Sequence, residues 1–226
     1  LQSKTFESIQ SGTPGADLKV VMFHGYGADM YDLQSLSHEA GADLEWHFPN
    51  GPLSIFPAGK AWFHIDIQAL ERAMQMGQHR DLSKERPRGL DKVIEQAQEY
   101  IASLEIDSSQ LILGGFSQGS MLAVELALRH PKPIAGLIIL SGNLLDAKGL
   151  KGLKTAQQGL RYFQSHGQHD PLLSLEGARA LECLLHEKGL KGELAEFRGG
   201  HEIPYNTLQA LKQFLVSIHD GLSTKS

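Results

Sequence analysis

The sequence predicts an α/β protein built on a doubly wound, mostly parallel sheet. Short, nearly continuous apolar runs recur at residues 18–23, 111–113, 134–140 and 160–163, as expected of strands buried on both faces. Between them lie segments with helical spacing, in which Leu90, Val93, Ile94, Ala97, Ile101 and Leu104 share one face, as do Leu175, Ala178, Leu181 and Leu185. Parallel neighbours need a crossover, which is usually a helix, so this alternation implies a parallel sheet with helices on both sides.

In chain order, the run 18–23 ends at His24-Gly25 and reads as a central strand. Residues 48–88 resist the pattern: they contain PNGPLSIFPAGKAWFHID, Met74 and Met76, and the charged KERPR. Long irregular segments are uncommon in compact domains and are often functional. The strand at 111–113 runs into GGFSQGS and then a helix-like stretch at 121–129. After the strand at 134–140, the connection 142–159 is too short to build a cap domain. The strand at 160–163 leads into the loop SHGQHDP, and a last strand at 194–197 leads into GGHEIP and a helix-like run at 208–218. No repeat, low-complexity tract or shift in composition divides the chain. A length of 226 residues suffices for one substantial core, so residues 1–226 are read as a single compact domain.

Composition narrows the partners. The formal net charge is -5, which provides no basic field to collect phosphates and argues against nucleic acid. The longest apolar runs fall well short of the roughly 18 residues that span a bilayer, so no integral membrane segment is expected. The single cysteine, Cys183, forms no intramolecular disulfide, and cytoplasm is the expected compartment. Set among Leu181, Leu184 and Leu185, Cys183 reads as a small buried hydrophobe. Because the chain begins at Leu1, a leader removed upstream stays open.

The pattern Gly115-Phe116-Ser117-Gln118-Gly119 carries the chemistry. Gly-x-Ser-x-Gly gains its meaning from its context, directly after a buried strand and directly before a helix. A strand that turns at once into a helix forces its pivot residue into a strained backbone with the side chain pointing off the sheet. Ser117 is that pivot, and Gly115 and Gly119 lack the side chains that would collide. The alternative is a glycine-rich turn with a capping serine.

A serine hydroxyl needs a base before it attacks. His201, in GGHEIP after the last strand, is placed to supply it, with His166 and His169 as competitors. Asp170, in the loop after the strand at 160–163, suits the carboxylate that orients a histidine, although an aspartate opening a turn before Pro171 is the commoner reading of such a residue. The order Ser117, Asp170, His201 matches one known class of serine hydrolases. Two backbone amides are expected to form an oxyanion hole, those of Gln118 and of Tyr26 in HGYGAD. His24 is read as holding that loop. The spacing of His166, His169 and Asp170 hints at a metal, but a loop motif without a further matched ligand makes a poor zinc site, so neither metal nor cofactor is expected.

VMFHGYGAD, FPNGP, WFHID, LILGGFSQGSMLAVELAL, GLIILSG, HGQHDP and GGHEIP together resemble the small carboxylesterases of the α/β-hydrolase fold, a family that includes acyl-protein thioesterases and lysophospholipases. The resemblance spans nearly the whole chain. It implies a hydrolase without a cap, Ser117, Asp170 and His201 as triad, Tyr26 and Gln118 as oxyanion hole, and no cofactor. HGYGAD and DPLLS depart from the eukaryotic thioesterase pattern and lean towards a bacterial-type esterase.

The expected substrate is a small acyl ester; thioesters, acylated proteins and lysophospholipids stay open. An apolar groove for the acyl chain is expected from Leu53, Ile55, Phe56, Trp62, Phe63 and Met74, with Phe56, Trp62 and Met74 foremost. Ordinary packing is an equal alternative for each. A binding protein on the same fold is the rival of another class, and an apolar rim would suit either a homodimer or a lipid surface.

Overall fold

Alternate residues of each central strand serve two different cores. The computed structural model describes residues 6–40 and 43–223. Its elements are β1 (Ser8–Gly12), β2 (Leu18–Phe23), α1 (Leu36–Glu39), β3 (Leu44–Pro49), β4 (Leu53–Ser54), β5 (Lys60–Ala61), α2 (Ile67–Gln75), α3 (Leu90–Ser103), β6 (Leu111–Phe116), α4 (Gln118–Arg129), β7 (Gly136–Leu140), α5 (Ala147–Gly152), β8 (Tyr162–Gly167), α6 (Leu175–Glu187), β9 (Leu194–Phe197) and α7 (Tyr205–Ser223). On one face of the sheet, Val21, Phe23, Leu113 and Ile139 meet the apolar stripes of α3, α4 and α6. On the other, Val20, Met22, Ile112 and Ile138 meet Leu211 and Leu215 of α7 and Leu36 of α1. A side-chain period of two divides each apolar run between the two cores, which explains why these strands carry almost no polar residue.

The sheet has seven strands in the order β1-β3-β2-β6-β7-β8-β9. Every pairing is parallel except β1 with β3 at the edge. The doubly wound, mostly parallel architecture is therefore present. Because β2, β6, β8 and β9 run the same way, their carboxyl ends open on one edge, and the loops carrying Tyr26, Ser117, Asp170 and His201 all start there.

Residues 48–88 are more regular than their sequence suggests. β4 and β5 form a small hairpin, and α2 is a nine-residue helix whose N-cap Asp66 accepts a hydrogen bond from the Ala69 amide. α2 has no buried residue. Cys183 also departs from expectation: it is exposed on the outer side of α6, while Leu181, Leu184 and Leu185 fill the inward positions. No helix among the described residues is long and apolar enough to cross a membrane.

Candidate active site

Ser117 sits at φ 53°, ψ -118°, between the last residue of β6 and the first of α4. A non-glycine residue in this region costs on the order of 1–3 kcal/mol and persists only where its surroundings enforce it. Here the Ser117 amide donates to the Leu140 carbonyl at the end of β7 (2.8 Å), and the Ser117 carbonyl accepts from the Ser120 amide (3.1 Å) and the Ser120 hydroxyl (2.7 Å). The flanking glycines are required by contact. A Cβ on Gly115 would lie 2.2 Å from the Gly119 carbonyl carbon, and one on Gly119 would lie 2.1 Å from the Phe23 carbonyl oxygen of β2. The Ser117 side chain makes no capping hydrogen bond, unlike the capping serine of the alternative reading. It lines a cleft of about 910 Å³, together with His201.

The imidazole and the carboxylate are joined. His201 Nδ1–H donates to Asp170 Oδ2 at 2.6 Å, and the carboxylate is almost wholly shielded from solvent. The other oxygen, Oδ1, accepts from the amides of Leu172 (2.8 Å) and Leu173 (3.0 Å). Burial acts to raise the Asp170 pKa, but the hydrogen bond and charge of His201, with these two amides, outweigh it and hold the carboxyl below its usual range. The ring of His201 packs on Phe116, the residue before Ser117, with centroids 4.8 Å apart. The imidazole and carboxylate expected from the sequence are thus bonded to each other, and the Ser117 residue lines the same cleft as the imidazole.

Neither competing histidine lines the cleft. His166 is fully buried; its Nε2–H donates to the Leu173 carbonyl (2.9 Å) and stands 3.5 Å from Asp170 Oδ2. Burial lowers its pKa. His169 is exposed, and no three His, Cys, Asp or Glu side chains among the described residues are grouped to hold a metal ion. His79, which sequence reasoning passed over, donates from Nε2–H to the main-chain carbonyl of Asp170 at 2.8 Å.

Tyr26 lines the same cleft as Ser117. Its loop is fixed from both sides: the Gly27 amide donates to the Lys60 carbonyl (2.8 Å), and the Lys60 amide donates to the Ala28 carbonyl (2.7 Å). The Gln118 amide is that of the first residue of α4, a position with no intrahelical acceptor. His24 holds the loop as expected. Its Nε2 accepts from the Gly51 amide (3.0 Å), which leaves Nδ1–H to donate to the Gly25 carbonyl (2.7 Å), and burial lowers its pKa.

Of the three residues foremost for the acyl groove, only Met74 lines the cleft, beside Leu70 and Ile67 of α2 and Phe63. Phe56 is 94% exposed on the hairpin between β4 and β5 and is not among the cleft residues. Trp62 is 1% exposed and is not among the cleft residues either. Its indole Nε1–H donates to the His24 carbonyl (2.8 Å), its amide donates to Gln118 Oε1 (2.9 Å), and Gln118 Nε2–H donates to the Phe63 carbonyl (2.8 Å). The Trp62 side chain braces the Tyr26 loop, and the Gln118 side chain ties the elbow to the same segment. A large apolar residue serves a groove or a brace equally well, and only the indole hydrogen bond separates the two uses.

The profile of the phospholipase/carboxylesterase family matches residues 4–219. The chain is 24% identical over 212 residues to acyl-protein thioesterase 1 of Schizosaccharomyces pombe, covering 88% of this chain and 90% of that protein. It is 33% identical over 104 residues to acyl-protein thioesterase 1 of Mycosarcoma maydis, covering 45% of this chain and 43% of that one. Among solved structures, esterase PE8 superposes with a TM-score of 0.77 at 25% identity, covering 95% of this chain and 98% of the other.

Proposed function

The chain belongs to the phospholipase/carboxylesterase family of serine ester hydrolases, and from that premise we propose that Ser117 is its nucleophile, His201 its general base and Asp170 the group that orients His201. The observation that carries this assignment is the 2.6 Å bond from His201 to Asp170 beside a cleft shared by His201 and the strained Ser117.

In this reaction Ser117 Oγ attacks the acyl carbonyl carbon as His201 Nε2 takes the hydroxyl proton. The C–O or C–S bond to the leaving group breaks, and His201 returns the proton to that group. Water then attacks the acyl-enzyme, giving up its proton to His201, and the acid leaves as Ser117 is reprotonated. Asp170 fixes the tautomer with Nδ1 protonated and stabilises the imidazolium. The amides of Tyr26 and Gln118 receive the oxyanion, where fixed donors act without reorganisation. The acyl chain lies along Phe63, Leu70 and Met74. Oxygen esters and thioesters share every step. The relatives named acyl-protein thioesterases keep the thioester reading beside the ester one.

The test is hydrolysis of p-nitrophenyl esters and acyl thioesters of graded chain length by the purified chain and by Ser117→Ala. The variant is expected to lose about a thousandfold or more in kcat. Retention of full activity would overturn the assignment.

A further inference from the structure

A second cavity adjoins the cleft and has a different character. It measures about 730 Å³ and is lined by the cationic side chains of Lys60, Arg88 and Lys92 and by His64, against the single carboxylate of Glu7. Glu7 is occupied by the amide of Asn50, which donates to its Oε2 at 3.2 Å. In the segment leading to Arg88, Arg80 is paired with Glu85, Lys84 with Asp81, and Arg86 with Asp91 and Asp146. Arg88 has no carboxylate partner among the described residues, and neither have Lys60 and Lys92; the Lys60 ammonium reaches only the Ser54 hydroxyl, at 3.2 Å. A chain of net charge -5 therefore gathers three cations that form no ion pair, against one carboxylate, around one hollow.

That hollow shares a boundary with the reaction cleft. His64 and Arg88 line both cavities, and the His64 amide donates to the Arg88 carbonyl at 3.1 Å, so the two residues form one fixed partition. An ester whose carbonyl lies at Ser117 and whose acyl chain follows α2 directs its alcohol portion away from α2. The partition offers that portion a charged boundary, with Lys92 and Lys60 beyond it.

Building on the hydrolase reading above, we propose that the alcohol or thiol portion of the substrate bears an oxyanion, a phosphate monoester or a carboxylate, held by Arg88 with Lys92 and Lys60. Arg88 is suited to this because its planar fork donates to two oxygens at once, and charge-assisted bonds of this kind are the strong ones. These side chains select the substrate; the reacting atoms remain those of Ser117 and His201.

The experiment compares kcat/KM for three esters of one acyl chain, on glycerol, on glycerol 3-phosphate and on a hydroxy acid with a free carboxylate, using the full chain and the double variant Arg88→Gln, Lys92→Gln. At low ionic strength the wild-type chain is expected to favour at least one anionic ester over the neutral one by about tenfold, with the preference shrinking as salt rises. Which arm shows it distinguishes phosphate from carboxylate. In the double variant the anionic-to-neutral ratio is expected to fall towards one. Because the readout is a ratio, a general loss of activity does not imitate it. Cleavage of the neutral ester with no anionic preference, or a ratio unchanged in the variant, overturns this inference alone. No turnover of any of the three overturns the hydrolase premise and this inference with it.

Discussion

Asp170 gives one oxygen to His201 and the other to its own loop: Oδ2 accepts from His201 Nδ1–H at 2.6 Å, while Oδ1 accepts from the amides of Leu172 and Leu173. The carboxylate is thereby both aimed and kept ionised. Asp170→Asn preserves the volume but removes the charge and offers an amide that favours the wrong tautomer of His201. We expect kcat to fall about a thousandfold or more, with the thermal midpoint remaining close to that of the parent. A loss below tenfold would mean that Asp170 serves the loop and not the imidazole.

The elbow glycines are steric necessities. Gly119→Ala places a Cβ against the main-chain oxygens of Phe23 and His24, which belong to the centre of the sheet and to the loop after it. The expected destabilisation is about 3 kcal/mol or more, measured by urea unfolding. A stable Gly119→Ala protein with full activity would show that the close approach of α4 to β2 is not needed.

Trp62 and Met74 separate two uses of an apolar side chain. Trp62→Phe removes the donor to the His24 carbonyl; kcat is expected to fall about tenfold through a loosened Tyr26 loop, with chain-length preference unchanged. Met74→Ala should instead widen the cleft and shift the preferred acyl length, and Phe56→Ala should do neither. Profiles of kcat/KM across p-nitrophenyl esters check all three.

His24 makes stability depend on pH. Burial lowers its pKa below 6.5 in the folded chain, so below pH 6.5 the unfolded chain binds a proton that the folded chain refuses. Stability contributed by the neutral imidazole is thus complete above pH 6.5 and is lost as pH falls below it, until the folded group also titrates. In His24→Gln the fall in unfolding free energy between pH 6.5 and 5 is expected to be shallower, by up to about 1.4 kcal/mol per pH unit. Parallel curves for variant and parent would contradict this.

The parts of the fold that were legible in the sequence are those governed by local rules. The apolar run of β2 and the stripe of α3 declare themselves by spacing, and the elbow by glycines that permit close backbone contact. β3 reads Leu44-Glu45-Trp46-His47-Phe48, the alternation of a strand polar on one face, and a reading for continuous apolar runs passes over it. α2 carries Ile67, Leu70 and Met74 at helical spacing, but it is only nine residues long and sits within a stretch rich in turn residues, where so short a pattern is easily masked. Phe56 and Cys183 are exposed against expectation because hydrophobic character fixes what a residue tolerates, while the fold fixes where it points. The contacts of His79 and His166 with the Asp170 loop follow from how segments meet in space, and no spacing in the sequence announces them.

The most direct measurement is the site of covalent capture by a fluorophosphonate, read by mass spectrometry of the digested protein. The account predicts one adduct, on Ser117, forming much more slowly in His201→Ala. A folded chain that takes no label, or takes it on another residue, would contradict it.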